Sequence, residues 1–570
     1  MPTDTAFMEK LTALCKRRGF IYQSSEIYGG IGGFWDYGPM GVELKRNIKD
    51  AWWHDMVTNP PDGPDGHEIE MVGVDCAIIM NPKVWEASGH VGTFADMTRK
   101  CLRCGHFVRA DQLWDLLAQP GTWLDSLLQE FTPIKGQIDT PRLLKWARGK
   151  GKRLAPNLAL VRNPEVTLSR IATRVTEQPD APPELKELIS YFATEQLHAT
   201  GLQDPCPLCG GELDEAKPFT LMFESYAGMT KDEDHKVYLR PETAQGIFVN
   251  FKNVLDTTRV KVPFGMAQVG KSFRNEITPR NYTFRSREFE QMEIEFFCHE
   301  AKSMEWYEFW RNVRYQWYVN LGLRSDKLRL RDQGKDELAH YSKACADIEY
   351  LFPFSDEHQE LEGVAHRGNF DLTQHAKFSG KDLTYFDDEA WERDKAARSA
   401  SGQAPWSKDE EKELKNKPPY RFLPTVIEPS AGADRAALAF LCEAYTEDQA
   451  PDEKGVMQTR VVMKFHPRLA PIKVAVFPLV NKEGMPDIAE AIYKDAKRHT
   501  TAFFDDKGAI GRRYRRQDEI GTPFCVTVDG QTLQDETVTI RDRDTLAQVR
   551  VNKANVVAWL CERLGQHAGG

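Results

Sequence analysis

Apolar residues recur every fourth position in "GVELKRNIKDAWWHDMV" (41–57), at Leu44, Ile48, Trp52 and Met56. This predicts an amphipathic helix that "NPPDGPDG" (59–66) brings to an end. "HEIEMVGVDCAIIM" (67–80) reads as a strand stopped by Asn81-Pro82. Strand periodicity returns at 263–297, a helical period follows at 302–319, and 388–417 is charged and poor in apolar residues, as in a surface insertion. From Pro471 the texture changes. "IKVAVFPLV", "TAFFDD" and "PFCVTV" read as strands, "MPDIAEAIYKDAKRHT" and "GRRYRRQDEIG" as helices, with a closing helix near 555–563. That alternation predicts a separate α/β domain with a largely parallel sheet. No internal repeat is present.

The stretch "SFRNEITPRNYTFRSREFEQMEIEFF" (272–297) predicts a hairpin of unusual charge. With a period of two, Arg287, Phe289, Gln291, Glu293 and Glu295 share one face of the return strand, and Met292, Ile294 and Phe296 take the other. On the outgoing strand Gln268, Gly270, Ser272, Arg274 and Glu276 share a face. The loop between them is polar and too long for a tight turn. Arginines beside acids on one wall suit a ligand that carries both charges, and a phenylalanine among them suits a flat ring. An exposed sheet laced with surface ion pairs, each worth about 0–1 kcal/mol, is the alternative.

Composition narrows the class. A chain of 570 residues exceeds one core and predicts two to four domains. Hydrophobic content of 41% with 28% charge describes a globular protein, and no apolar run approaches the roughly 20 residues of a membrane span. The N-terminus has no signal-peptide core, and eleven cysteines, four of them in CxxC pairs, suit reduced thiols. A cytoplasmic location is expected. A net charge of −10 opposes general coating of nucleic acid while leaving room for local basic patches at "GKGKRL" (149–154) and "GRRYRRQ" (511–517).

"FRNE" (273–276), "FRSREF" (284–289) and "EPSAGADRAALAFL" (428–441) together resemble motifs 2 and 3 of the class II aminoacyl-tRNA synthetases. "LRPETAQGIFVNF" (239–251), "REFEQMEIEFF" (287–297) and "SGHVGTFADM" (88–97) are similar to the dimeric glycyl-tRNA synthetases, from about residue 7 to the C-terminus. The resemblance implies a multidomain α+β fold. A class II antiparallel-sheet catalytic domain would occupy 1–100 and 218–470, interrupted by an insertion at 101–217 and followed by an α/β anticodon-binding domain at 471–570. It implies a homodimer, with helix 41–57 as motif 1, and tRNA(Gly), ATP with Mg²⁺, and glycine as ligands.

Residue roles follow from the same resemblance. Arg274 and Arg435 are the expected catalytic residues, with Arg274 on the α-phosphate. ATP would be bound by Arg274, Asn275, Glu276, Phe284, Arg285, Ser286, Arg287, Glu288 and Phe289, together with Glu360, Leu361, Gly432, Ala433, Asp434 and Arg435. Phe289 would stack on adenine, and Arg285 or Arg287 with Arg435 would hold the outer phosphates. Glycine would be met by Arg109, Glu242, Phe289, Glu290, Gln291, Met292 and Glu293, and by Glu428, Ser430 and Gly432. Arg367 would lie on the substrate side. The family usually has an aspartate where Asn369 stands.

"CLRCG" (101–105) and "CPLCGG" (206–211) are each zinc-knuckle-like, although far apart in sequence. Cys101, Cys104, Cys206 and Cys209 are expected to meet at the base of the insertion and hold one structural Zn²⁺. In the last domain "RRYRR" is expected on a helix facing RNA phosphates, with Phe524 stacking on the RNA or packing beneath the helix.

Overall fold

The computed structural model describes residues 5–110, 213–334, 338, 342–451 and 456–564. Contacts divide the chain into two compact units, residues 91–221 and the remainder, 1–90 with 222–570. Among the described residues of the smaller unit, Ala95–Lys100 pairs antiparallel with Phe107–Arg109 and with Lys217–Thr220. Residues 111–212 of the expected insertion, with "GKGKRL" among them, lie outside the described residues.

The larger unit opens with a helix, Thr5–Arg18, and an antiparallel pairing of Ile21–Gln23 with Trp35–Tyr37. The predicted amphipathic helix follows as α1 (Pro39–Trp53), continued by one wide turn at His54–Thr58. Leu44, Ile48, Trp52 and Met56 are all buried. The strand expected over 67–80 forms only at β1 (Glu70–Gly73). It stops early because the Cys76 carbonyl accepts from Arg240 Nη1 at 2.7 Å, off the sheet ladder. Asn81-Pro82 then opens a short helix, Pro82–Ala87, with Asn81 Oδ1 accepting from the Lys83 N–H.

The remaining elements of the core are α2 (Ala244–Thr258), β2 (Phe264–Phe273), β3 (Glu288–Cys298), α3 (Ser303–Asn320), β4 (Leu328–Asp332), β5 (Ala344–Tyr350), β6 (Gln359–Gly368), α4 (Phe370–Ser379), β7 (Thr425–Gly432) and α5 (Ala433–Ala444). The seven strands form one sheet in the order β4-β5-β6-β7-β3-β2-β1, antiparallel except for the β1–β2 edge. One face is packed: Met292, Ile294 and Phe296 of β3 are fully buried in a core that includes Trp306 and Trp310 of α3 and Ala436, Leu438 and Phe440 of α5. The other face is apolar only at one end, where Phe297 meets Phe251 and Phe264. Further along the same strands this face becomes polar. The segment 388–417 is two surface helices, Asp388–Ala400 and Lys408–Lys415, with Trp391, Trp406 and Tyr420 packed together beneath them.

The C-terminal part has five strands, β8 (Val474–Pro478), β9 (Ala502–Phe504), β10 (Phe524–Val528), β11 (Thr537–Asp542) and β12 (Gln548–Asn552), in the order β9-β8-β10-β11-β12. Its helices are α6 (Met485–Ala496), α7 (Ile510–Ile520) and α8 (Val556–Leu564). The sheet is mixed and not largely parallel: β8 pairs parallel with β9 and β10, but β11 and β12 add antiparallel. The reason is local, since the β10–β11 and β11–β12 connections are too short to carry a crossover helix. The basic helix also departs from expectation. Arg513 is buried and donates to the Pro478 and Leu479 carbonyls, and Arg516 pairs with Asp505 at 2.5 Å. Arg512 and Arg515 instead line a broad cleft beside Gln458, Tyr514 and Gln548. Phe524 does not lie beneath this helix: it packs in the core formed with α6 and α8, edge-on to Trp559, while Phe477 and Cys525 lie under Ile510 and Tyr514 of the basic helix. No described helix is long and apolar enough to cross a membrane.

Candidate active site

The hairpin forms in the register that alternation predicts. Phe289 stands opposite Ser272, Gln291 opposite Gly270 and Glu293 opposite Gln268, so the polar residues of both strands share the open face. Gly270 is required there, because a side chain at that position would run into the Arg240 guanidinium, 2.3 Å from where its Cβ would sit. β7 pairs with the far side of β3 and brings Ser430 opposite Glu293. Together with β5 and β6 these strands floor a cleft of about 310 Å³.

One end of the cleft is cationic and aromatic. Arg274, Arg285, Phe284, Phe289 and Arg435 line it. Arg274 donates from Nε to the Pro241 carbonyl at 3.1 Å and lies over the Phe289 ring, 5.4 Å from its centroid. Arg435, in the first turn of α5, donates to the Phe284 and Glu360 carbonyls at 3.1 Å each, which fixes its guanidinium before any ligand arrives. Glu276, Ser286, Glu360, Leu361 and Gly432 complete the wall, with Asp347 and Gln333 from the outer strands.

The other end is a nest of buried acids. Glu293 is 1% exposed. It accepts from Ser430 Oγ at 2.8 Å and from the Thr243 hydroxyl, while Gln291 bridges Ser430 and Ser272. Carboxylate oxygens of Glu293, Glu295 and Glu428 lie within 4.8 Å of one another. Burial, then the nearby Glu428 and Glu242 charges, push Glu293 up to about 8. Glu295 has no hydrogen-bond donor at either oxygen, and burial and its contact with Glu428 keep it protonated well above the usual range. Burial raises Glu428 as well, against the opposing Arg367 charge. Glu242 behaves differently. Burial opposes its charge, but His90, Arg367 and Gln245 outweigh that and hold it far below the ordinary carboxylate range. Arg367 ties the nest together, paired with Asp371 at 2.8 Å and with Glu428 at 2.7 Å.

Several expected residues turn away from the cleft. Glu288, Glu290 and Met292 occupy the even positions of β3, so their side chains face the opposite side and only their main chain borders the open face. Met292 is in the core, Glu290 pairs with Lys45 and Lys49, and Glu288 pairs with Lys271. The Ala433 side chain is buried in the core at the start of α5. Asp434 reaches the cleft edge, but its carboxylate is occupied by Lys45 and the Glu290 N–H, binding α1 to β3 and α5. Arg287 holds the chain at 32–33 through the Gly32 and Gly33 carbonyls and does not line the cleft, and neither does Asn275. Arg109 lies in the smaller unit, paired with Asp96. Asn369 precedes α4 and its side chain makes no capping bond, the charge next to Arg367 coming from Asp371.

Glu295, Thr243, Asp347, Gln333 and His90 were not foreseen as site residues. For Glu295 the signal was present, since it shares the alternating face with Glu293.

Comparison with known proteins agrees with this geometry. Residues 223–394 match the model described as "tRNA synthetase class II core domain (G, H, P, S and T)", and 473–563 match "Anticodon binding domain". Among curated proteins, the glycine–tRNA ligase of Rhodopirellula baltica is 51% identical over 98% of this chain and 99% of its own length. That of Acetivibrio thermocellus is 44% identical over 95% and 96%, and that of Thermobifida fusca 42% over 99% of both. With identity at this level running through both the cleft-bearing sheet and the C-terminal domain, the chain belongs to the glycine–tRNA ligase family.

Proposed function

We propose that the cleft joins glycine to tRNA(Gly) through glycyl adenylate. A glycine carboxylate oxygen attacks the α-phosphorus of ATP and diphosphate leaves. A terminal ribose hydroxyl of the tRNA then takes the glycyl group and AMP leaves. The observation that carries this reading is the polarity of one sheet face, with three guanidinium groups at one end and buried carboxylates at the other. Arg274 meets the α-phosphate, Phe289 the adenine, and Arg285 and Arg435 the outer phosphates. Glu360 and Asp347 offer hard oxygen donors that would hold a Mg²⁺ bound with ATP, and that ion would supply charge neutralisation for the phosphates. Glu242 takes the glycine ammonium, while Glu293 and Ser430 fill the space a Cβ would need. Exchange of labelled pyrophosphate into ATP tests the reading: it should require glycine and not tRNA, and exchange indifferent to glycine would refute it.

The raised acids give a second expectation. An ammonium entering the nest favours ionised carboxylates, so glycine binding should expel a proton held by the Glu293–Glu295–Glu428 group. Since burial and the neighbouring acids push Glu293 up to about 8, apparent glycine affinity should strengthen as pH rises toward that value and level off above it. Calorimetry near pH 7 in buffers of different ionisation enthalpy should show proton release. Buffer-independent heats would mean that the nest is already charged.

The protein acts as a homodimer in the cytoplasm. Ile27, Tyr28 and Ile31, at 88%, 87% and 51% exposure, offer a surface for a second copy. The nine described cysteines are all unbridged. The smaller unit holds a structural Zn²⁺. The Cys101 Sγ accepts the N–H groups of Arg103 and Cys104 at 3.4 Å each, a loop shaped around a thiolate, and Gly105 turns the chain at φ +73°. Cys101 also pairs with Leu213, four residues beyond Cys209; Cys206 and Cys209 themselves lie outside the described residues. Metal analysis of protein purified without chelator should find close to one zinc per chain, and its absence would remove this assignment.

A further inference from the structure

Glu242 is held at both oxygens by groups outside the cleft lining. Gln245, in the first turn of α2, donates from Nε2 to Oε1 at 3.0 Å. Gln245 is itself fixed by Asp371 at 3.0 Å and by His375, whose Nε2 lies 2.8 Å from Gln245 Oε1. On the other side the His90 Nε2 lies 3.3 Å from Glu242 Oε2.

The His90 ring has little freedom. Its Nδ1 is 2.8 Å from Ser88 Oγ. Its plane stands edge-on to the indole of Trp85, with centroids 5.4 Å apart at 79°. Trp85 is fully buried at the end of the Pro82–Ala87 helix, so the ring is referred to the rigid core. Nε2 faces a carboxylate, which only accepts, so Nε2 carries the hydrogen and donates to it, whichever way the bond between Nδ1 and Ser88 Oγ runs. Each Glu242 oxygen then has one protein donor and keeps acceptor capacity for a further hydrogen.

We propose that His90 is a positioning residue for amino-acid recognition: its Nε2–H sets the Glu242 carboxylate that receives the substrate ammonium. The role rests on the reading of Glu242 given above. It is not a catalytic role, because His90 acts through Glu242 and is not among the residues that line the cleft. Removing the imidazole leaves Glu242 with one donor and a rotatable plane, which weakens a contact made equally in the ground and transition states.

The test is pyrophosphate exchange on the full chain. His90→Ala should raise the glycine KM roughly tenfold, the worth of one hydrogen bond to a charged group, with kcat and the ATP KM within about twofold of wild type. His90→Gln, which can place an amide N–H near the same point, should recover most of the loss. Parallel rises in both KM values, or no recovery with Gln, would assign His90 to folding alone and overturn the proposal. Glu242→Gln serves as the control. If it leaves the glycine KM unchanged while wild type shows glycine-dependent exchange, the ammonium role of Glu242 fails, and that of His90 with it.

Discussion

Arg274→Ala should slow glycine-dependent pyrophosphate exchange by roughly 10²–10³, the cost of about 3–4 kcal/mol seen when one preorganised charge contact is removed. The side chain is only partly buried, and its Nε donates to the Pro241 carbonyl at 3.1 Å. Truncating a partly exposed side chain costs a fold little, so thermal stability should stay near wild type. What is lost is a guanidinium held 5.4 Å over the Phe289 ring, at the junction between the aromatic wall and the acid nest. That junction is where the α-phosphate of ATP and the glycine carboxylate must meet if both ends of the cleft are filled at once. Charge accumulates there as the carboxylate attacks, so the loss should fall on kcat more than on either KM. Arg274→Lys should recover little, because an ammonium cannot reproduce the planar fork. Exchange that survives Arg274→Ala nearly undiminished would show that the hairpin does not carry the chemistry.

The open face of the hairpin was readable because β-structure obeys a period of two. Ser272, Phe289, Gln291 and Glu293 fall on one side by counting alone, and Met292, Ile294 and Phe296 on the other. The same rule explains where a motif misleads. "REFEQME" is contiguous in sequence, yet Glu288, Glu290 and Met292 face away from Phe289 and Glu293, and Glu290 serves α1 through Lys45 and Lys49. Contacts across long separations could not be read from one sequence. Arg367 with Glu428, Glu242 with His90, and Asp434 with Lys45 are set by how strands and helices from distant segments pack. The C-terminal sheet was misread in part because short buried strands look alike whether parallel or antiparallel; only the lengths of the last two connections distinguish them. The basic run "RRYRR" was misread because a helix distributes successive residues around its circumference. Arg513 falls inward and Arg512 outward, whatever their shared charge.

Arg314→Met should destabilise the protein by about 3–5 kcal/mol, the cost of leaving one member of a buried ion pair without its partner. Arg314 of α3 and Glu362 of β6 are both fully buried and form a two-pronged pair at 2.7 and 3.0 Å. The guanidinium also lies 4.5 Å over the Trp317 ring, so its aromatic packing is lost as well. Glu362 directly follows Glu360 and Leu361, which line the cleft, and disorder in β6 should therefore reach the ATP end of the site. In the variant, Glu362 is left buried without its cation. An unpaired buried carboxylate costs most when it is charged, so the penalty should be smaller at acidic pH than at neutral or alkaline pH. Replacing both residues, Arg314→Met with Glu362→Met, removes the stranded charge and should restore much of the stability, because well-packed apolar residues can replace a buried pair at little cost. The denaturation midpoints of the two variants, compared at acidic and alkaline pH, separate the alternatives. A single variant as stable as wild type at every pH would mean that Glu362 finds another donor, and that the pair does not anchor α3 to the sheet.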